Sequence, residues 1–269
     1  MDSLFDLTSK IAVVTGALGK LGPVWVDALL SVGATVVGID LPGVPVSPGF
    51  EKLITKYGEQ KLFLYRADIC DTDALASVRE KCQSEVGIPN ILVNNAGIDQ
   101  PPNQTQTYRL ENVPIESVRN VLDINVIGAL QAIQIFGQEM VKNGNGSIIN
   151  IGSLYASVSP DEKFYDHIPC DPPFLKPLAY GASKAALINL TKYFAAHWGH
   201  AGVRVNSLSP GGVQDNQDDE FIKKFSSRVP MGRMAKYDDL RGPIIFLASA
   251  ASSYINGVNL KVDGGFTIW

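Results

Sequence analysis

Cysteine and histidine are scarce in this 269-residue chain. Cys70, Cys82 and Cys170 are odd in number and lack metal-ligand spacing, which fits a reduced, cytoplasmic setting. His167, His197 and His200 form no metal pattern; the last two read as helix-end residues, and His167 as either a substrate contact or a loop hydrogen-bonder. Basic charge is not in excess. Twenty-three Lys and Arg against 27 Asp and Glu leave a net charge of −4, which argues against nucleic acid or an anionic membrane as partner. The first residues lack the basic and apolar regions of a signal peptide, and no apolar run is expected to span a bilayer. Repeats, low-complexity tracts and linkers are absent as well.

What remains is a chain, 45% hydrophobic, that can bury the core of one large α/β domain over residues 1–269. Strand patterns fall near 10–15, 34–40, 61–66, 90–95, 146–152, 203–208 and 258–262. Longer helical patterns fall near 21–32, 71–86, 114–142, 178–200 and 236–249. This alternation predicts a seven-stranded parallel sheet flanked by helices. Lys56 to Lys61 reads as a solvated turn.

Tyr180-Gly-Ala-Ser-Lys184 is the most telling segment. On a helix its spacing puts phenol and ammonium about one turn apart on one face. The ammonium is then expected to favour phenolate and draw the tyrosine pKa toward working pH, suiting it to proton transfer. A second pattern supplies a cofactor site. The strand Lys10 to Thr15 enters a turn carrying Gly16, Gly19 and Gly22 and then a helical stretch. Strand, glycine turn and helix is the setting of a dinucleotide fingerprint, with pyrophosphate at the helix N-terminus. Asp40 ends the second strand, placed to accept from the ribose 2′-hydroxyl of NAD and to repel the 2′-phosphate of NADP. Lys20, inside the turn, is a competing cation that would tolerate a phosphate. NAD is favoured over NADP.

In their order along the chain these motifs resemble the short-chain dehydrogenase/reductase family, compact single-domain type, over nearly all residues from Thr15 to Gly265. The resemblance implies a doubly wound Rossmann fold. It implies cofactor contacts at Gly16, Leu18, Gly19, Lys20, Leu21 and Gly22, then at Asp68, Ile69, Asn95, Ala96 and Gly97. Further contacts are implied at Tyr180, Lys184, Pro210, Gly211 and Val213. It also implies a catalytic tetrad of Asn125, Ser153, Tyr180 and Lys184. Tyr180 would exchange the proton, Ser153 would bond the substrate oxygen, Lys184 would bind the nicotinamide ribose, and Asn125 would hold a relay water.

Three departures stand out. The spacing Gly16-x-x-Gly19-x-x-Gly22 is that of the extended, sugar-nucleotide-modifying branch. No threonine follows the Pro210 turn; Gln214, Asp215 or the Val213 backbone would stand in for it. Ser153 and Tyr180 are 27 positions apart, roughly twice the family's usual gap, leaving an insertion at 154–177. Five prolines make that insertion a shaped loop. Its aromatic and acidic side chains suit a sugar or polyol, with Tyr155, Tyr165 and His167 as candidate substrate contacts. The same segment is equally suited to covering the rim or building a subunit contact.

A mobile substrate lid is expected at about 213–236, helical around Asp219 to Ser226. Within it, Arg228 reads as a carboxylate partner or a lid anchor, and Arg233 as an anchor. Apolar Phe266, Ile268 and Trp269 at the end of the sequence are expected to be buried in a subunit interface, in a dimer or homotetramer. The resulting expectation is an NAD-dependent oxidoreductase acting on a small secondary alcohol or ketone, sugar-like or sugar-acid in character. Members linked to sugar-acid metabolism and surface-glycan biosynthesis share the resemblance. The alternatives are an NADP-dependent 3-oxoacyl-type ketone reductase and a non-catalytic dinucleotide sensor.

Overall fold

Val, Ile and Leu dominate the short apolar runs, and such runs form strands buried on both faces of a parallel sheet. The computed structural model describes residues 4–99 and 108–269. In chain order its elements are β1 Ile11–Thr15, α1 Gly22–Ser31, β2 Thr35–Asp40, α2 Pro48–Tyr57, β3 Leu62–Arg66, α3 Thr72–Glu85 and β4 Ile91–Asn94. Then come α4 Ile115–Leu122, α5 Ala129–Lys142, β5 Gly146–Ile151, α6 Leu178–Trp198, β6 Val203–Pro210, α7 Asp219–Ser227, α8 Tyr237–Ala248 and β7 Asn259–Val262. The seven strands are parallel in the order β3-β2-β1-β4-β5-β6-β7. This is the doubly wound Rossmann arrangement. Chain direction across the sheet reverses between β1 and β4, and such a switch point opens a ligand crevice at the carboxyl ends of the strands.

One sheet face is covered by Trp25 and Leu29 of α1, Phe50 of α2, and Leu240, Ile244 and Leu247 of α8. The other is covered by Leu75 of α3, Ile133, Phe136 and Met140 of α5, and Phe194 of α6. Between these layers a polar chain is fully buried. Asn94 Nδ2 donates to Asn150 Oδ1 (2.9 Å), Asn150 Nδ2 donates to Thr191 Oγ1 (2.8 Å), and Thr191 and Ser207 share a 2.7 Å bond. Paired groups of this kind specify a single packing, because any slip would strand a polar atom in apolar surroundings. Here they fix α6 against β4, β5 and β6.

The structure departs from the sequence expectations in three places. Helix α2 was not anticipated, and Lys56 is its last-turn cation, 2.9 Å from Asp27, rather than part of a free turn. The stretch expected as one helix is broken by a π-helical turn at Asp123–Gly128. The whole stretch Ile115–Lys142 is also long and apolar enough to meet the length and composition of a membrane crossing. That amends the expectation that no such run exists, although its stripe of Ala132, Ile133, Phe136 and Met140 lies buried in the core. Phe266 is buried within its own chain, not held out for a partner.

Candidate active site

The carboxyl ends of β1, β2 and β4 build one wall of the crevice. Gly16 turns the chain at φ +63°, and a Cβ there would lie 2.8 Å from the Ala96 backbone. The turn is tied down by its neighbours. Ala17 N–H donates to Ile39 O at 3.2 Å and Leu18 N–H to Asp40 Oδ2 at 2.7 Å. Asn95 Nδ2 donates to Thr15 O (3.1 Å) and Gly16 O (2.9 Å), while Trp25 Nε1 donates to Asn95 Oδ1 at 2.7 Å. Asn95 therefore holds the glycine turn. Leu18 and Gly22 lie behind the crevice lining: Leu18 is buried, and a Cβ on Gly22 would sit 2.3 Å from Ala17 O.

The crevice encloses about 440 Å³. Along it lie Gly16, Gly19, Lys20, Leu21, Asp40, Asp68, Ile69, Asn95, Ala96 and Gly97 at one end, and Ser153, Tyr180, Lys184, Pro210, Gly211 and Val213 at the other. Most of the expected cofactor positions therefore share one cleft with three of the four expected catalytic residues. Lys20 Nζ sits 3.2 Å from Asp215 Oδ2, so this turn cation already faces a carboxylate.

The fourth, Asn125, is buried in the π turn just behind the cleft. Single π turns inside α-helices recur at functional sites, because the extra residue re-aims a side chain. Asn125 Oδ1 accepts from Ile98 N–H at 2.8 Å, and its Nδ2 donates to Ile98 O and Ser183 Oγ, both at 3.0 Å. Both of its N–H donors are thus engaged by protein. A Cβ on Gly97 would lie 3.0 Å from Asn125 Oδ1 and 3.6 Å from Lys184 Nζ. The missing side chain leaves a small space between those two polar atoms.

Ser153 follows β5, and its Oγ accepts from Tyr155 N–H at 3.2 Å. Tyr180 and Lys184 share a face of α6, with Lys184 Nζ 5.7 Å from the centre of the Tyr180 ring. Lys184 is buried and donates to Ile151 O at 2.8 Å. Burial lowers its pKa to about 8, with the Asp99 carboxylate opposing that shift. The expected lowering of the tyrosine pKa is overturned. Loss of surrounding water pushes the Tyr180 phenol well above the ordinary tyrosine value, the Asp99 carboxylate adds to this, and a hydrogen bond with Ser153 only partly offsets it.

Two neighbours of Tyr180 were not anticipated from the sequence. Asp99 lines the cleft, and Lys176 Nζ lies 2.5 Å from its Oδ2 and 5.5 Å from the centre of the Tyr180 ring. The available signals were slight: Asp99 follows Gly97 by two positions, and Lys176 precedes Tyr180 by four.

The insertion is a loop with two short 3₁₀ turns, Leu154–Ala156 and Glu162–Phe164. Leu154, Phe164, Tyr165 and Phe174 are buried in it against Phe225, Val229 and Met234 from α7 and the chain after it, and against Phe266. Of the three expected substrate contacts, only Tyr155 stays near the tetrad, its ring 5.9 Å from Lys176 Nζ. Tyr165 is packed in the aromatic cluster, where it hydrogen-bonds Tyr155, and burial pushes its phenol up to about 12. His167 Nε2 lies 2.8 Å from Asp218 Oδ1, and its Nδ1 lies 3.3 Å from Lys224 Nζ. His167 thus faces the lid, with Arg228 paired to Asp161 and Lys224 to Asp166 beside it. Arg233 is an anchor, forked onto both oxygens of Asp239 at 2.7 and 3.0 Å.

A model of short chain dehydrogenases matches residues 10–165, and one described as enoyl-(acyl carrier protein) reductase matches residues 172–267. The chain is 32% identical to a D-threitol dehydrogenase of Mycolicibacterium smegmatis, over 100% of this chain and 96% of the relative. It is 32% identical to a 2-dehydro-3-deoxy-D-gluconate 5-dehydrogenase of Dickeya dadantii, over 97% of each. Among solved structures it is similar to a gluconate 5-dehydrogenase from Burkholderia cenocepacia in complex with NADP and tartrate, with TM-score 0.83, 27% identity and 98% of each chain covered. It is also similar to a short chain dehydrogenase from Leptospira borgpetersenii with bound NAD+, with TM-score 0.83, 30% identity, and 99% and 96% covered.

Proposed function

Because the chain belongs to the short-chain dehydrogenase family and is an NAD(P)-dependent oxidoreductase of CH–OH groups, we propose that it works on a polar, sugar-like secondary alcohol or ketone with NAD as the preferred cofactor. The observation that carries this reading is the single cleft joining the glycine turn to Ser153, Tyr180 and Lys184. Gly16, Gly19 and Gly97 line the crevice without side chains, which fits the close approach of a dinucleotide to the backbone. Asp40 at the crevice edge supports NAD by setting negative charge where a 2′-phosphate would lie. Lys20, already facing Asp215, offers little to offset that charge.

The nicotinamide, when bound, supplies the hydride acceptor or donor. Ser153 donates to the substrate oxygen, where charge develops. Tyr180 takes the hydroxyl proton in oxidation and returns it in reduction. Its raised pKa suits the donor role, and an ammonium on Lys184, 5.7 Å from the ring centre, acts in the opposite direction. Asn125 Oδ1 retains a lone pair toward the space at Gly97, which supports a water there in contact with Lys184 as the outward proton path. Of the expected substrate contacts, Tyr155 keeps that role, while Tyr165 and His167 support the wall behind it.

For assembly, exposed Ile268 (76%), Trp269 (73%) and Ile115 (62%) favour a homo-oligomer, with dimer or tetramer both compatible. The three free thiols favour a reducing compartment such as the cytoplasm. Tyr180→Phe tests the chemistry. Turnover of polyols or sugars is expected to fall roughly 10²- to 10⁴-fold, with NAD binding by fluorescence titration retained. Unchanged turnover would sink the proton-transfer assignment.

A further inference from the structure

A matched pair of opposite charges stands at the substrate end of the cleft, with Asp99 in its lining and Lys176 in the lining of the neighbouring cavity. Asp99 comes from the loop after β4, and Lys176 from the end of the insertion, 77 positions away. Their side chains are 38% and 10% exposed, so the carboxylate opens to the cleft while the ammonium is mostly covered. Lys176 Nζ stands 5.5 Å from the Tyr180 ring and 5.9 Å from the Tyr155 ring. Behind it lies a separate cavity of about 200 Å³, which places the pair as a polar partition between cavity and cleft.

A carboxylate-bearing substrate gains from an ammonium only if that ammonium is not already matched. Lys176 is matched at 2.5 Å, and an incoming carboxylate would also meet the charge of Asp99. Of the described cations farther out, Lys224 and Arg228 are already held by Asp166 and Asp161. An uncharged polyol meets a different surface. Asp99, in the cleft lining, accepts from its hydroxyls, while Lys176 behind it holds the carboxylate in place.

We propose that the Asp99–Lys176 pair is a specificity-determining element that selects neutral polyhydroxylated substrates, alditols and their ketoses, over the corresponding sugar acids. This rests on the sugar-like reading above and narrows it. Carbon-matched alditol and aldonate pairs, assayed with NAD on the native enzyme and two variants, test it. The native enzyme prefers the alditol in kcat/KM. Asp99→Asn frees the ammonium and moves the alditol-to-aldonate ratio toward the acid by roughly tenfold or more, mainly through KM. Lys176→Met leaves the carboxylate unmatched and moves the ratio the opposite way. NAD affinity, measured by fluorescence titration, stays within about twofold in Lys176→Met, whose side chain lies outside the cofactor cleft lining.

A native preference for the acid would overturn the pair's role while leaving the sugar-like reading intact. So would variants that slow both substrates equally with the ratio unchanged. Turnover of neither member of any pair, with NAD still binding, would overturn the sugar-like reading and this proposal together. Should Asp99→Asn fail to fold, the direction of the Lys176→Met shift decides.

Discussion

The two ends of the cleft are held by different means. At the cofactor end, main-chain bonds from β1, β2 and β4 and the single carboxamide of Asn95 fix a turn with no room for a Cβ at Gly16 or Gly22. At the substrate end no strand ladder runs between the parts. Phe164, Phe225 and Phe266 meet as rings 4.9 to 6.2 Å apart, and Tyr165 meets Phe174 at 4.9 Å. Charged pairs at Asp161–Arg228 and Asp166–Lys224 border these rings. A turn built from backbone has few acceptable sequences, because its tolerance is steric and local. A cluster built from rings has many, because apolar area and fit decide its strength. The lid helix α7 already rests on the insertion through this cluster, whereas the sequence pattern suggested a segment free to close.

The sharpest way to break the cofactor end is Gly22→Val. Its Cβ would enter at 2.3 Å from Ala17 O and 2.4 Å from Gly16 O, where neither backbone atom can yield cheaply. We expect a loss of about 3 kcal/mol or more in stability, and no rise in the variant's melting temperature on addition of NAD or NADP. Native NAD affinity in this variant would show that the turn is softer than its geometry implies.

At the substrate end, Phe225→Ala opens a cavity where the insertion, lid and tail meet. The expected cost is about 3–5 kcal/mol, borne locally. KM for the sugar-like substrate rises and protease nicks the 154–177 segment sooner, while NAD affinity holds. A parallel fall in NAD affinity would mean that the two ends are not independent.

Lys184 sits where the ends join, and its titration measures the burial there. Its pKa is about 8 in the folded protein against 10.5 for an ordinary lysine. Below pH 8 both folded and unfolded chains carry the proton, and the buried charge is a full cost to the fold. Between the two values the unfolded chain binds more protons, so stability climbs with pH, by on the order of 3 kcal/mol in total. Urea titrations from pH 7 to 10.5 should show this climb in the native protein relative to Lys184→Met. The difference cancels the contributions of tyrosines and cysteines distant from Lys184, and a flat difference would place Lys184 in contact with water.

Features that lie close together along the chain were legible from sequence. The glycine turn, Asp40 and the Tyr180–Lys184 spacing each fit within one strand–turn–helix or one helical turn. Asn125 and Ser153 were legible through the order of family motifs, but the π turn that aims Asn125 was not, since one extra residue hardly disturbs a helical apolar pattern. Helix α2 opens on Pro48, where the missing N–H costs nothing, and its proline-rich approach through Pro42 and Pro45 carries no helical pattern. The direction of the Tyr180 shift was misread because spacing reveals the ammonium but not the depth of water around the phenol. Asp99 with Lys176, and Tyr165 with Phe225, are partners brought together only by the folded chain.

Because the insertion, α7 and Phe266 bring a small hydrophobic cluster of their own, this corner of the molecule has the character of a cassette. A replacement segment that supplied comparable apolar volume would seat against the same Rossmann frame without renegotiating the strand order or the glycine turn. New substrate ranges could then arise by exchange of whole loops, in evolution or at the bench, with the cofactor chemistry carried along unchanged. The unit of exchange would have to include Phe266, so a graft that swapped only residues 154–177 would leave one wall of its cluster behind.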